Sequence, residues 1–164
     1  RKMPESMEGA IADGISTEAS IILGFRDETF CNVMQSYWFI VRMAIVGVND
    51  VVSFPFSPYP GSELFKVCLE RGMVTVNDAY FISLSQYSDI RYTKSYSQHF
   101  TSAQLRILCL TGMALFYASS YLARPVRAWR LVSNVLKKSP KTKLENAIVR
   151  VMKKRSRFAE ASHS

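Results

Sequence analysis

Two apolar runs, residues 18–25 (EASIILGF) and 51–56 (VVSFPF), bracket a segment whose apolar residues recur at helical spacing, and this order admits few folds. The first run is nearly continuous rather than alternating, which predicts a strand buried on both faces, as in a parallel sheet covered by helices. Between them Phe30, Val33, Met34, Tyr37, Val41, Ala44, Ile45 and Val48 mark an apolar helical face. Asp27 is the expected cap, Glu28 sits in the positive first turn and Gly47 marks the stop. Strand, helix and strand in this order form a βαβ unit, with parallel strands and a right-handed crossover. Two strands do not make a stable sheet unaided, so the unit is expected to need neighbours. The opening residues show no signal peptide, and the chain reads as cut from something longer.

The second apolar run leads into Ser57-Pro58-Tyr59-Pro60-Gly61-Ser62 and then into a short helix over residues 62–71. Each proline fixes its own φ and biases the residue before it toward extended geometry, while Gly61 frees the backbone to turn. A stiff loop after a strand is a place to hold a ligand, or simply the strand's stop signal.

Of the 164 residues, 48% are apolar and 12% aromatic, enough for a real core. The net charge of +8 is unevenly placed. Residues 1–123 carry nine Lys and Arg against eleven Asp and Glu, whereas 124–164 carry twelve against two, Glu145 and Glu160. Such a tail attracts phosphate, on lipid or nucleic acid, or is merely a solvated face. Cys31, Cys68 and Cys109 are too dispersed for a disulfide framework or a metal site, and read as buried thiols in a reducing, cytoplasmic compartment.

Residues 6–14 read as the end of a helix closing at Gly14, and residues 102–123 as a long helix with Ser102 as its cap. The tyrosine-rich stretch between residues 74 and 92 has no clear period. Ile107 to Ala123 is uncharged over about seventeen residues, the lower limit for spanning a bilayer. Burial as a packing helix is the expectation, with interfacial docking and spanning as alternatives. Beyond Pro125, residues 126–136 and 143–155 each place apolar residues on one side and Lys or Arg on the other, so the segment 125–155 is expected to contact the inner face of a membrane. Nucleic acid is not an expected partner, because Trp129 falls on the apolar stripe rather than among the basic residues. The chain thus divides into a βα part, 1–76, and a mainly helical part, 77–164.

There is no GxGxxG, Walker loop, GxSxG elbow or HExxH. His99 reads as a polar loop residue and His163 as tail. No catalytic residue and no metal ligand can be named from the residues alone.

Two segments carry a resemblance: Ile22-Leu23-Gly24-Phe25-Arg26-Asp27-Glu28-Thr29, and Phe56-Ser57-Pro58-Tyr59-Pro60-Gly61-Ser62-Glu63-Leu64. They are similar to the Ile-Gly-Phe-Pro-Asp-Glu-Thr and Phe-x-Pro-Tyr-Pro-Gly-Thr segments of radical S-adenosylmethionine (SAM) enzymes of the class with a cobalamin-binding domain. The second segment is the closer match. Residues 116–125 resemble the helical extension of relatives of the anaerobic magnesium-protoporphyrin IX monomethyl ester cyclase. The resemblance implies an α/β fold, the C-terminal part of a (β/α) partial TIM-type barrel followed by an α-helical extension. It also implies an enzyme that cleaves SAM reductively for radical hydrogen abstraction, or transfers methyl groups through cobalamin, acting on a small-molecule or lipid-like substrate. By motif position, Ile22 and Gly24 would edge the adenine, Glu28 would support the turn, and Ser57 and Tyr59 would face SAM or substrate. Arg26 replaces a proline, which is expected to make that loop less stiff. The Cys-x3-Cys-x2-Cys run that binds the 4Fe-4S cluster is absent, so either the cluster, and any cobalamin, would be held outside this chain, which alone would be inactive, or the protein is an inactive relative. The rival reading is a non-enzymatic membrane-surface or partner-binding helical module.

Overall fold

The computed structural model describes residues 2–85, 89–90, 93–126 and 129. In chain order these form α1 (Lys2–Ala12), β1 (Glu18–Leu23), α2 (Phe30–Val46), β2 (Asp50–Pro55), α3 (Glu63–Glu70), α4 (Asp78–Ser85) and α5 (Ser102–Ala123). β1 and β2 are parallel, in register from Glu18 opposite Asp50 to Leu23 opposite Pro55. The fold is therefore mixed α/β around a small parallel sheet. Among the described residues that sheet stops at two strands, and a wider barrel wall is not seen.

Local chemistry moves two helix starts away from the expected caps. The Glu28 amide donates to the Phe25 carbonyl at 3.1 Å, closing a turn that keeps Asp27 outside α2. Thr29 is the N-cap instead, and its amide donates to Asn32 Oδ1 at 2.9 Å. At α5 the cap is Thr101 rather than Ser102. Its hydroxyl accepts from the Gln104 amide at 3.3 Å while its own amide donates to Gln104 Oε1 at 2.9 Å, a reciprocal capping box. Gly47 ends α2 as expected, in the left-handed region at φ 105°.

α2 and α5 pack together, and α5 also packs on β2. Val33, Ile40, Met43 and Ala44 of α2 and Leu105, Cys109 and Phe116 of α5 are buried in one cluster with Ala19, Leu23 and Val51 of the sheet. Because both helices cover the same sheet face, only that face of β1 is buried: Ser20 and Ile22 on the other face are exposed. This corrects the expectation of burial on both faces of β1, whereas β2 is buried at every position but Phe54. It also splits the expected face of α2, since Val33, Tyr37 and Ala44 point inward while Phe30, Met34 and Ile45 are exposed.

The α5 interface is close. A Cβ on Gly112 would lie 3.1 Å from Ser53 Oγ and 3.2 Å from Ile40 Cδ1, so glycine sets the approach of helix to sheet. Two tyrosines add polar ties. Tyr37 donates to the Leu108 carbonyl at 2.7 Å, and Tyr117 donates to Asp50 Oδ1 at 2.6 Å, which also accepts from the Val51 amide at 3.0 Å. Each satisfies a buried or half-buried polar group that would otherwise weaken the core.

A second cluster joins Phe56, Cys68, Val74, Tyr80 and Tyr96, with Phe65, Met73 and Leu84 against it. It forms under the proline loop. Of the three thiols, Cys68 and Cys109 are buried but Cys31 is exposed near the start of α2, which corrects the reading of all three as buried. The cause is again the two-faced apolar pattern of that helix. The expected helices 126–136 and 143–155, apart from Val126 and Trp129, lie outside the described residues, as does His163.

Candidate functional site

Parallel strands in register bring their C-terminal ends side by side, so the loops that follow β1 and β2 emerge at one end of the sheet. In the first loop, Gly24 at φ 88° turns the chain, and its amide donates to the Glu28 carboxylate. A Cβ on Gly24 would collide with Leu105 of α5, 2.5 Å from Cδ2. Glycine is thus needed here twice, for the dihedral and for the packing. Glu28 accepts from the Gly24 amide across this turn.

Arg26 does not loosen this loop. Its carbonyl accepts from the Gln98 amide at 3.0 Å, and its Nε and Nη2 donate to the Gln98 side-chain oxygen at 3.2 and 2.7 Å in the amide orientation that satisfies both groups. Arg26 Nε also lies 3.7 Å from Asp27 Oδ1. The stiffness a proline would give is supplied by anchorage to the segment before α5. The Phe25 and Phe56 rings, with centroids 4.9 Å apart, close the gap between the two loops.

The second loop is held from beneath. Pro58 is buried, and its carbonyl accepts from the Tyr80 hydroxyl at 2.5 Å. Ser62 caps α3 by accepting from the Phe65 amide at 3.1 Å, and its hydroxyl donates to the Tyr59 carbonyl at 2.8 Å. Burial raises the pKa of the Tyr80 and Tyr96 phenols and of the Cys68 thiol, so all three are neutral groups at ordinary pH.

Between the loops and along the open sheet face lies a groove of about 380 Å³, lined by Ser20, Ile22, Phe25, Phe54, Pro55, Phe56, Ser57 and Tyr59. It brings together three of the five expected site residues, Ile22, Ser57 and Tyr59. Ile22 and Tyr59 are 48% and 46% exposed. Gly24 and Glu28 do not line it and instead shape the turn beside it. The groove is mainly apolar with the hydroxyls of Ser20, Ser57 and Tyr59 in its lining, a composition common to small-molecule pockets. His99 is an exposed loop residue, away from this lining.

The chain matches no known protein family, characterised protein or solved structure. Among the described residues no group of three His, Cys, Asp or Glu is placed to hold a metal ion. Cys68 and Cys109 belong to separate clusters and Cys31 is exposed on a helix, so the three thiols do not fit an iron–sulfur cluster.

Sequence reasoning missed Tyr80, Gln98 and Leu105, which position the loops without lining the groove. A signal for Tyr80 was present in Asn77-Asp78: Asn77 Oδ1 accepts from the Tyr80 amide at 2.9 Å at the start of α4. Nothing local marks Gln98, whose partner is 72 residues away in Arg26.

Proposed function

We propose that this chain supplies part of the SAM-facing wall of a radical SAM enzyme, the C-terminal part of a partial TIM-type barrel with its helical extension. The observation that carries the reading is the meeting of Ile22, Ser57 and Tyr59 in one groove at the C-terminal ends of two parallel strands. Barrel enzymes place their sites at that end. The groove's apolar walls suit the adenine, and the Ser57 and Tyr59 hydroxyls suit the polar parts of the ligand or substrate. When bound, SAM would supply a 5′-deoxyadenosyl radical, or a methyl group for transfer through cobalamin.

The chain's own residues bind and orient. Ile22, Phe25 and Phe54 would exclude water from one side of the ring, and Glu28 and Gln98 would keep the first loop from shifting. Tyr80 would fix the height of the second loop through the Pro58 carbonyl. No residue of this chain holds the cluster, and no electron-transfer step is assigned to it. The substrate would be a small or lipid-like molecule entering over the exposed rim at Tyr59.

The test uses the full-length protein. Its coding sequence upstream of Arg1 is expected to contain a Cys-x3-Cys-x2-Cys run, and anaerobic iron–sulfur reconstitution is expected to give SAM cleavage to 5′-deoxyadenosine. Ile22→Glu should weaken SAM binding by at least about tenfold, as a charge placed against an apolar ring wall does. Absence of the cysteine run, or full SAM affinity in Ile22→Glu, would overturn the proposal.

A further inference from the structure

α5 is apolar on opposite sides. Leu105, Cys109, Gly112, Phe116 and Ser120 are buried against α2 and β2. The outward stripe, Ile107, Leu110, Ala114, Ala118 and Leu122, repeats at spacings of three and four and is exposed along its whole length. A helix apolar all round belongs either in a core or in lipid. By length and composition α5 could cross a bilayer. Its inner face, however, already holds the core of an α/β fold, and extracting it would leave Leu23, Ile40 and Val51 uncovered. Only the outward stripe is open to a second solvent.

The apolar exposure grows toward the end of the helix, where Leu122 is 85%, Val126 61% and Trp129 75% exposed within eight residues. The same point starts the basic region, with twelve Lys and Arg against two acids over residues 124–164. That charge decides between occupants. A second copy of the chain would bring an equal positive charge to the contact, whereas a surface of anionic lipid offers both an apolar layer and opposite charge. A tryptophan beside basic residues is also suited to the boundary between acyl chains and headgroups.

We propose that the outward stripe of α5, ending in Leu122, docks in the plane of an anionic membrane together with the exposed Val126 and Trp129 beyond the helix end, with the basic region that follows holding the headgroups. α5 lies along the surface and does not span it. At 22 residues it presents a track about 33 Å long. This docking is independent of the radical chemistry proposed above and stands or fails separately.

The experiment is co-sedimentation of the full chain with vesicles of phosphatidylcholine alone and of phosphatidylcholine with phosphatidylglycerol, at low and high salt. Binding should be at least about tenfold stronger to the anionic vesicles and should weaken with salt. Two variants divide the surface: Leu110→Glu, on the outward stripe, and Leu122→Glu with Trp129→Ser, at its end. Both sites are exposed, so circular dichroism should show the wild-type fold. Both should reduce vesicle binding by about tenfold or more, because a charge replaces buried apolar area. Equal binding by wild type and variants would mean that charge alone acts and would overturn the docking. So would no vesicle binding, or binding of single-stranded RNA that vesicles do not displace.

Discussion

The guanidinium of Arg124 donates from Nη2 to the Val46 carbonyl at 2.9 Å, so the residue that ends α5 caps the last turn of α2. It occupies the space a side chain at Gly47 would need: a Cβ there would lie 2.1 Å from Arg124 Nη1. The positive group meets the negative end of the α2 dipole and satisfies a carbonyl left open by the helix end. Arg124→Ala should therefore lower stability by about 1 kcal/mol. Gly47→Ala should be worse, by roughly 1–3 kcal/mol, because it adds a positive-φ penalty to the loss of the cap. Urea denaturation of the two variants checks the order.

At Gly112 helix propensity and packing oppose each other. Alanine would favour the helix by about 1 kcal/mol, yet its Cβ meets Ser53 Oγ, Ile40 and Tyr37 at 3.1 to 3.3 Å. Gly112→Leu has no such compromise and should destabilise by roughly 1–3 kcal/mol through overpacking. A leucine variant as stable as wild type in urea would show that α5 does not approach the sheet this closely.

The thiols should react in a fixed order. Cys31 is exposed and should be modified rapidly by a thiol reagent in the native protein, whereas Cys68 and Cys109 should react only after unfolding. Counting modified thiols by mass spectrometry, before and after denaturant, gives one and then three.

Cys109 also predicts an alkaline limb of the stability curve. Burial, helped by the Glu28 charge, pushes its thiol up to about 12, above the ordinary 9.0. The folded chain therefore keeps a proton that the unfolded chain gives up. Stability is unaffected below pH 9.0 and falls between there and about 12, by about 1.4 kcal/mol per pH unit. Cys109→Ala should be less stable near neutral pH but should lose less between pH 9 and 11. The raised Tyr37 phenol, perturbed chiefly by burial, adds a slope of the same sign in both proteins.

Tyr80→Phe removes the donor to the Pro58 carbonyl and leaves that carbonyl without its hydroxyl partner. A cost of about 1–3 kcal/mol is expected. The loop above should loosen, so hydrogen exchange at the Tyr59 and Gly61 amides should quicken while that at Val51 changes only with global stability. Unchanged exchange at Gly61 would mean that the prolines alone hold the loop.

What the sequence made legible was whatever depends on neighbours along the chain. The strand, helix, strand order followed from the apolar pattern and the stop at Gly47 from its missing Cβ, whereas Ser62, read as the first residue of α3, is its cap. The caps of α2 and α5 were displaced because Asp27 and Ser102 were weighed alone. A turn closed by Glu28 and the glutamine three residues after Thr101 decided the matter. The open face of β1 could not be seen, because an apolar run records that a strand is greasy and not which side a helix will take. Within the groove, Ile22, Ser57 and Tyr59 were legible by position. Gln98, Tyr80 and Leu105, which hold the loops in place, act across long sequence separations, and of the three only Tyr80 has a local signal, the Asn77 turn at the start of α4.

The two-stranded sheet has one further consequence. Each strand gives one long edge to its partner, which leaves the far edge of each as the place where a third strand would add; none lies among the described residues. Such an edge is a template of backbone donors and acceptors that pairs with any extended segment of suitable register. The same property would let flanking strands complete the sheet without any change in β1 or β2.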